Sequence, residues 1–143
     1  MSKNDPNILV VDDIEDNRFT LERRLKRDGY ANIDLVDGGQ AALDIIQEKN
    51  FDLILLDLMM PDISGLEVLQ SIKTDPTNRH IPIIMVTAAD ENETAAECIK
   101  NGADDYITKP FNATFLKARV AASLEKKMLY DREAVYLDRI EAD

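Results

Sequence analysis

Four consecutive apolar residues, Leu53-Ile54-Leu55-Leu56, run without a break into Asp57, and Pro61 follows soon after. An apolar run without alternation suits a strand buried on both faces of a parallel sheet. Pro61 cannot continue a ladder and disfavours helix just before it. The strand therefore ends near Asp57 and leaves a carboxylate at its carboxyl end, the edge at which open α/β sheets bind ligands. A single Asp in that place is ordinarily a helix cap or a loop acid. Its partners elsewhere in the chain decide otherwise.

Three more runs repeat the pattern. Ile8 to Val11 ends at Asp12 and Asp13, Ile81 to Thr87 ends in a hydroxyl, and the short Asp105 to Thr108 leads into Lys109-Pro110-Phe111. Ile33 to Val36 is a weaker strand before the turn Asp37-Gly38-Gly39. Between the strands lie helical stripes. Leu21 and Leu25 share a face after a cap at Asp16 or Asn17, and Gly29 stops that helix. Ala42, Leu43 and Ile46 mark a second helix, ending near Asn50. Ser64 and Glu67 form a capping box for a third, with Leu66, Leu69 and Ile72 inward and Asp75-Pro76 at its close. A fourth runs from Asp90 to Asn101 and halts at Gly102. Asn112 caps a fifth, whose face is Leu116, Val120 and Leu124. Met1 to Pro6 is polar and read as irregular.

Strand-helix alternation five times over calls for a parallel sheet with helices on both faces. Right-handed crossovers and an acidic first turn favour a doubly wound sheet in the order 2-1-3-4-5. Strands 1 and 3 are neighbours in that order, so Asp12, Asp13 and Asp57 converge. Three carboxylates without an intervening base need a cation. Hard oxygen ligands suit magnesium, which takes one or two carboxylates and phosphate oxygens. Thr87 and Lys109 fall on the same edge, giving a hydroxyl and an ammonium that can stabilise a phosphoryl group in flight, with one carboxylate as acceptor. The Lys109-Pro110 step suggests a tightly held loop with a cis bond.

Composition narrows the partners. The 143 residues carry a formal charge of −11, which opposes direct binding to nucleic acid or anionic membranes. The single cysteine, Cys98, excludes an internal disulfide and reads as a small buried hydrophobe on a helix face. His80 lies in a polar loop and reads as an ordinary surface histidine. No signal peptide and no membrane-length apolar run is present, so a cytoplasmic location is expected.

Asp12-Asp13, Asp57, Met60-Pro61-Asp62, Gly65, Thr87-Ala88 and Lys109-Pro110-Phe111 together resemble the receiver domain of two-component response regulators, from about Asn7 to Leu124. The resemblance implies a flavodoxin-like fold with Asp57 as phosphoacceptor. It implies magnesium held by Asp13, Asp57 and the backbone carbonyl of Met59, with Asp12 acting mainly through water. It makes Thr87 and Lys109 the contacts to the phosphoryl oxygens and Tyr106 the aromatic that moves inward when Thr87 engages them. The donor would be a histidine kinase or histidine phosphotransferase, and the chain itself would not be an enzyme beyond assisting its own phosphorylation and dephosphorylation. In this family the residues two beyond the acceptor and two beyond the Thr flank the path of hydrolytic water. Here they are Met59 and Ala89, neither able to align a water strongly, so a long-lived phosphoryl group is expected.

Three other readings compete. An aspartate-nucleophile phosphatase of haloacid dehalogenase type would need an Asp where Met59 stands. A flavodoxin-like FMN protein would need a Gly-, Ser- or Thr-rich loop where Asp12 and Asp13 stand. A receiver that only docks proteins would not need the full acid, Thr and Lys set.

Beyond Leu124 the chain outruns its domain. Glu125 to Asp143 contains no Gly or Pro and favours helix. Met128 and Val135 lie seven apart, as do Leu129 and Tyr136, with Ile140 four further on. Asp131 and Arg132 interrupt this coiled-coil seam. The expected division is a receiver over 1–124 and a helical extension over 125–143, resembling helices that join receivers to output domains. A homodimer could form through that helix, or through the face of the fourth helix, fifth strand and fifth helix.

Overall fold

The computed structural model describes residues 5–88 and 92–142. Strands and helices alternate as β1 (Asn7–Val11), α1 (Glu15–Arg27), β2 (Asn32–Val36), α2 (Gly39–Glu48), β3 (Leu53–Asp57), α3 (Gly65–Lys73), β4 (Ile83–Thr87), α4 (Asn92–Lys100), β5 (Asp105–Thr108) and α5 (Ala113–Ala142). All neighbouring strands pair parallel, in the order β2-β1-β3-β4-β5. This is the doubly wound sheet that the apolar runs called for.

The continuous runs arise because helices cover both faces. Leu9, Val11, Ile54, Leu56, Ile83 and Met85 meet Ala42, Ile46, Val68, Leu69, Ile72 and Cys98 from α2, α3 and α4. The alternate residues Ile8, Val10, Leu53, Leu55, Ile84 and Val86 meet Leu21, Leu25, Leu116 and Val120 from α1 and α5. Each large side chain buried this way stabilises the fold by about 1.5–3 kcal/mol before entropy is counted. Cys98 is a fully buried free thiol within the first cluster, as its helix face implied.

Three local expectations need correction. First, α1 begins at Glu15 with Ile14 in the cap position, not at Asp16 or Asn17. Asp12 is the cause, because its Oδ1 accepts the Ile14 N–H at 2.9 Å and turns the chain into helix early. Second, β4 starts at Ile83 rather than Ile81, since Pro82 has no N–H for the ladder; its carbonyl still accepts from the Ile54 N–H at 3.0 Å. Third, His80 is not free at the surface. Its ring stacks on Tyr130 of α5, with centroids 4.6 Å apart, and burial pulls its pKa down. The expected start of the fourth helix at Asp90 and most of the irregular Met1 to Pro6 segment lie outside the described residues.

Helix boundaries elsewhere follow the sequence. Ser64 Oγ accepts the Glu67 N–H at 3.2 Å, and Asn112 Oδ1 accepts the Phe115 N–H at 2.9 Å. α5 then continues for 30 residues, about 45 Å at 1.5 Å per residue. Leu116 and Val120 are buried against the sheet, whereas Met128, Leu129, Tyr136 and Ile140 are exposed. Between those two stretches the helix is fastened to the base of the sheet. Lys127 Nζ lies 3.2 Å from Asp52 and 2.7 Å from Asp131, and Lys126 pairs with Asp104. No helix among the described residues is long and apolar enough to cross a membrane.

Candidate phosphoacceptor site

Strand register brings the acids together. Val11 pairs with Leu56, so the residues that follow them, Asp12 and Asp57, arrive level at the carboxyl edge. One carboxylate oxygen from each of Asp12, Asp13 and Asp57 lies within 4.8 Å of the others. Asp57 and Thr87 end their strands, and the Lys109 N–H donates to the Thr87 carbonyl at 2.8 Å, which holds the lysine over the same edge. Lys109 Nζ stands 3.3 Å from Asp57 Oδ1 and 3.4 Å from Asp12 Oδ2. The Lys109-Pro110 peptide bond is cis.

The charges are not balanced. Burial, then the neighbouring Asp12, push the Asp57 carboxyl up to about 6, and Lys109 offsets only part of this. Burial pulls the Lys109 ammonium down, yet Asp57 and Asp12 outweigh it and leave the group above its ordinary value. Asp12 Oδ2 is buried and, among the described residues, accepts no hydrogen bond. A buried oxygen with open lone pairs, facing two more carboxylates, fits a hard divalent cation. The donor set of oxygens alone points to magnesium rather than to a softer metal.

Other side chains set the frame. Asp12 is held from α1: Arg18 Nη1 donates to its carbonyl at 2.7 Å, and Asn17 Nδ2 to its Oδ1 at 3.4 Å. Sequence reasoning took Asn17 only as a candidate helix cap and passed over Arg18. Their signal is slight, two polar side chains in the first turn of the helix that follows the acid. Gly65 has a geometric reason to be glycine, since a Cβ there would lie 2.3 Å from the Asp57 carbonyl oxygen. Thr87 is buried, with Oγ1 at 3.5 Å from the Ile107 carbonyl, the outer limit of a hydrogen bond. Tyr106 is 38% exposed. Met59 follows in the exposed loop after β3, while Ala89 lies outside the described residues.

Comparison with known proteins places relatives beside this chain. The chain matches the response regulator receiver domain family over residues 8–121. It is 40% identical over 124 residues to the response regulator PleD of Caulobacter vibrioides, covering 87% of this chain and 27% of that protein. It is 32% identical to the chemotaxis protein CheY of Pseudomonas aeruginosa, covering 83% of this chain and 96% of that one. A crystal structure of NtrX from Brucella abortus superposes with a TM-score of 0.82 at 31% identity, over 92% of this chain and 29% of that one. The chain thus spans between a quarter and a third of PleD and of NtrX, and nearly the whole of CheY.

Proposed function

The chain belongs to the response regulator receiver family of two-component signalling, and on that footing we propose that Asp57 is its phosphoacceptor. The observation that carries this is the Asp12, Asp13, Asp57 cluster, short of positive charge and faced by Lys109. The same cluster argues for an active receiver rather than one that only docks.

Asp13 and Asp57, with the backbone carbonyl of Met59, would hold magnesium directly and Asp12 mainly through water, and the ion would supply positive charge to the phosphoryl oxygens. A carboxylate oxygen of Asp57 forms the new phosphorus–oxygen bond as the phosphorus–nitrogen bond to a donor histidine breaks, and the departing imidazole nitrogen takes up a proton. With its pKa near 6, Asp57 is mostly ionised at neutral pH, as a nucleophile must be. Lys109 lies close enough to follow the charge from carboxylate to phosphoryl oxygen. The chain is a phosphoacceptor that assists its own reactions, and is not an enzyme acting on other substrates.

The switch rests on Thr87 and Tyr106. The Thr87 hydroxyl holds Ile107 only at the limit of hydrogen bonding and can exchange it for a phosphoryl oxygen. Tyr106, on the neighbouring strand β5, then moves inward. Carrying such an equilibrium from 1:99 to 99:1 requires about 5.5 kcal/mol of differential interaction.

The domain ends near Leu124, and 125–143 is a helix that passes the signal on to an output domain or to a second copy of the chain. The exposed stripe of Leu129, Tyr136 and Ile140 supports this reading, as does the small share of PleD and NtrX that the chain spans. The face formed by α4, β5 and α5 is the alternative homodimer contact. The donor is a histidine kinase or phosphotransferase, and the setting is cytoplasmic.

Incubation with magnesium and an acyl phosphate tests the reading. Intact-mass measurement should show one added phosphoryl group, absent in Asp57→Asn. Full labelling of that variant would remove Asp57 from the mechanism.

A further inference from the structure

We propose that Asp62 is a positioning residue for the metal site, acting by clamping the loop between β3 and α3 onto the open end of α2. The proposal rests on the reading that Asp13, Asp57 and the Met59 carbonyl hold magnesium. That loop carries Met59, and its placement decides whether the carbonyl can serve.

The start of α2 has nothing of its own to satisfy it. Its cap residue is Gly38, which has no side chain, and its first turn contains no acid. An α-helix presents unpaired N–H groups and partial positive charge there. Asp62 comes from 23 residues away to meet them. Its Oδ1 accepts the Gly39 N–H at 3.1 Å and its Oδ2 the Gln40 N–H at 3.0 Å. Those backbone bonds hold the carboxyl below the usual range.

The contact is close on both sides. A Cβ on Gly38 would lie 2.9 Å from Asp62 Oδ2, and one on Gly39 would lie 2.8 Å from Ile63 Cβ. The two glycines therefore let the loop and the helix end approach as a fitted pair. At its far end the loop is closed by the Gly65 N–H, which donates to the Leu58 carbonyl at 2.8 Å. The segment from Leu58 to Gly65 is thus pinned at its end by one backbone bond and near its middle by Asp62. Met59 lies between those two fixings. Met60 and Ile63 also pack against the core, and Asp62 adds the side-chain hydrogen bonds that tie this segment to the start of α2.

Losing a helix cap also costs stability, so the test must separate a cap from a clamp. Asp62→Ala opens both. Adding Gly38→Ser to that variant supplies a local cap, since Gly38 has an extended backbone that serine adopts freely and the three atoms nearest to its Cβ all belong to the Asp62 side chain, which Asp62→Ala removes. Magnesium binding by calorimetry and melting temperature are measured for the parent, Asp62→Ala, and Asp62→Ala with Gly38→Ser. The expected result is magnesium affinity at least about threefold weaker in both variants, with the lost melting temperature recovered in the double variant alone. Affinity equal to the parent in Asp62→Ala, or restored together with the melting temperature, overturns the clamp. Absence of magnesium binding in the parent would instead overturn the metal site itself.

Discussion

The two edges of the sheet use charge in opposite ways. At the carboxyl edge, among the described residues, three carboxylates face one ammonium, and a buried oxygen of Asp12 goes without a hydrogen bond. At the amino edge the charges are matched. Lys73 Nζ donates to the Ile81 carbonyl at 2.7 Å and the Arg79 carbonyl at 3.1 Å, and sits 3.7 Å from Asp104. Asp104 in turn accepts the Ile83 N–H at 2.8 Å and pairs with Lys126. Asp52 accepts the Asn7 N–H at 2.8 Å and holds Lys127. Buried charge used for structure comes with its partners; buried charge short of partners marks a site that awaits a ligand.

The largest effect that separates the edges should come from Gly65→Ala. Its Cβ would press on the Asp57 carbonyl at 2.3 Å and on Leu58 Cα at 2.8 Å. Backbone crowding of that kind should cost about 3 kcal/mol in urea unfolding, and a loss well under 1 would mean that the carboxyl edge yields more easily than its geometry implies.

A smaller effect, with a distinctive pH dependence, belongs to Asp57. Its folded pKa of about 6 lies above the ordinary 3.8, so the folded state binds the proton more tightly than the unfolded state does. The contribution to stability is therefore fully present below the unfolded value and is lost as pH rises through the folded one. Without metal, Asp57→Asn should melt above the parent at neutral pH, and the gap should close on acidification toward the unfolded pKa. A variant that melts lower at neutral pH would show that the carboxyl edge is balanced after all.

At the amino edge the effects should be modest. Lys127→Ala should cost about 1 kcal/mol, because Asp52 and Asp131 can both turn to water once it is gone. Hydrogen exchange beyond residue 126 should quicken, with phosphorylation of Asp57 unchanged. His80→Ala should cost about 0.5 kcal/mol through the lost stack on Tyr130. Altered phosphorylation in either variant would mean that the two edges are not independent.

Much of this was legible in the sequence. The strands announce themselves because residues such as Leu53 to Leu56 are buried whichever way they point, and strand order then forces Asp12 beside Asp57. The cis bond before Pro110 also followed from its setting. What the sequence hid was contact at a distance. Asp62 stood within a recognised motif, yet nothing local says that it reaches α2. Asp12 displaced the expected cap of α1 by bonding Ile14, a choice between neighbouring acids that composition does not rank. His80 found Tyr130 because α5 runs on beyond the family match at residues 8–121 and passes the loop that holds the histidine.

If the two edges differ as their charges imply, the carboxyl edge is completed by a cation and the amino edge is complete without one. Calorimetric titration of the full chain with magnesium near neutral pH tests this most directly. One site is expected in the parent and in Lys127→Ala, and none measurable in Asp13→Ala. A parent that takes up no magnesium, or an Asp13→Ala variant that binds it as the parent does, would mean that the carboxyl edge is not a cation site.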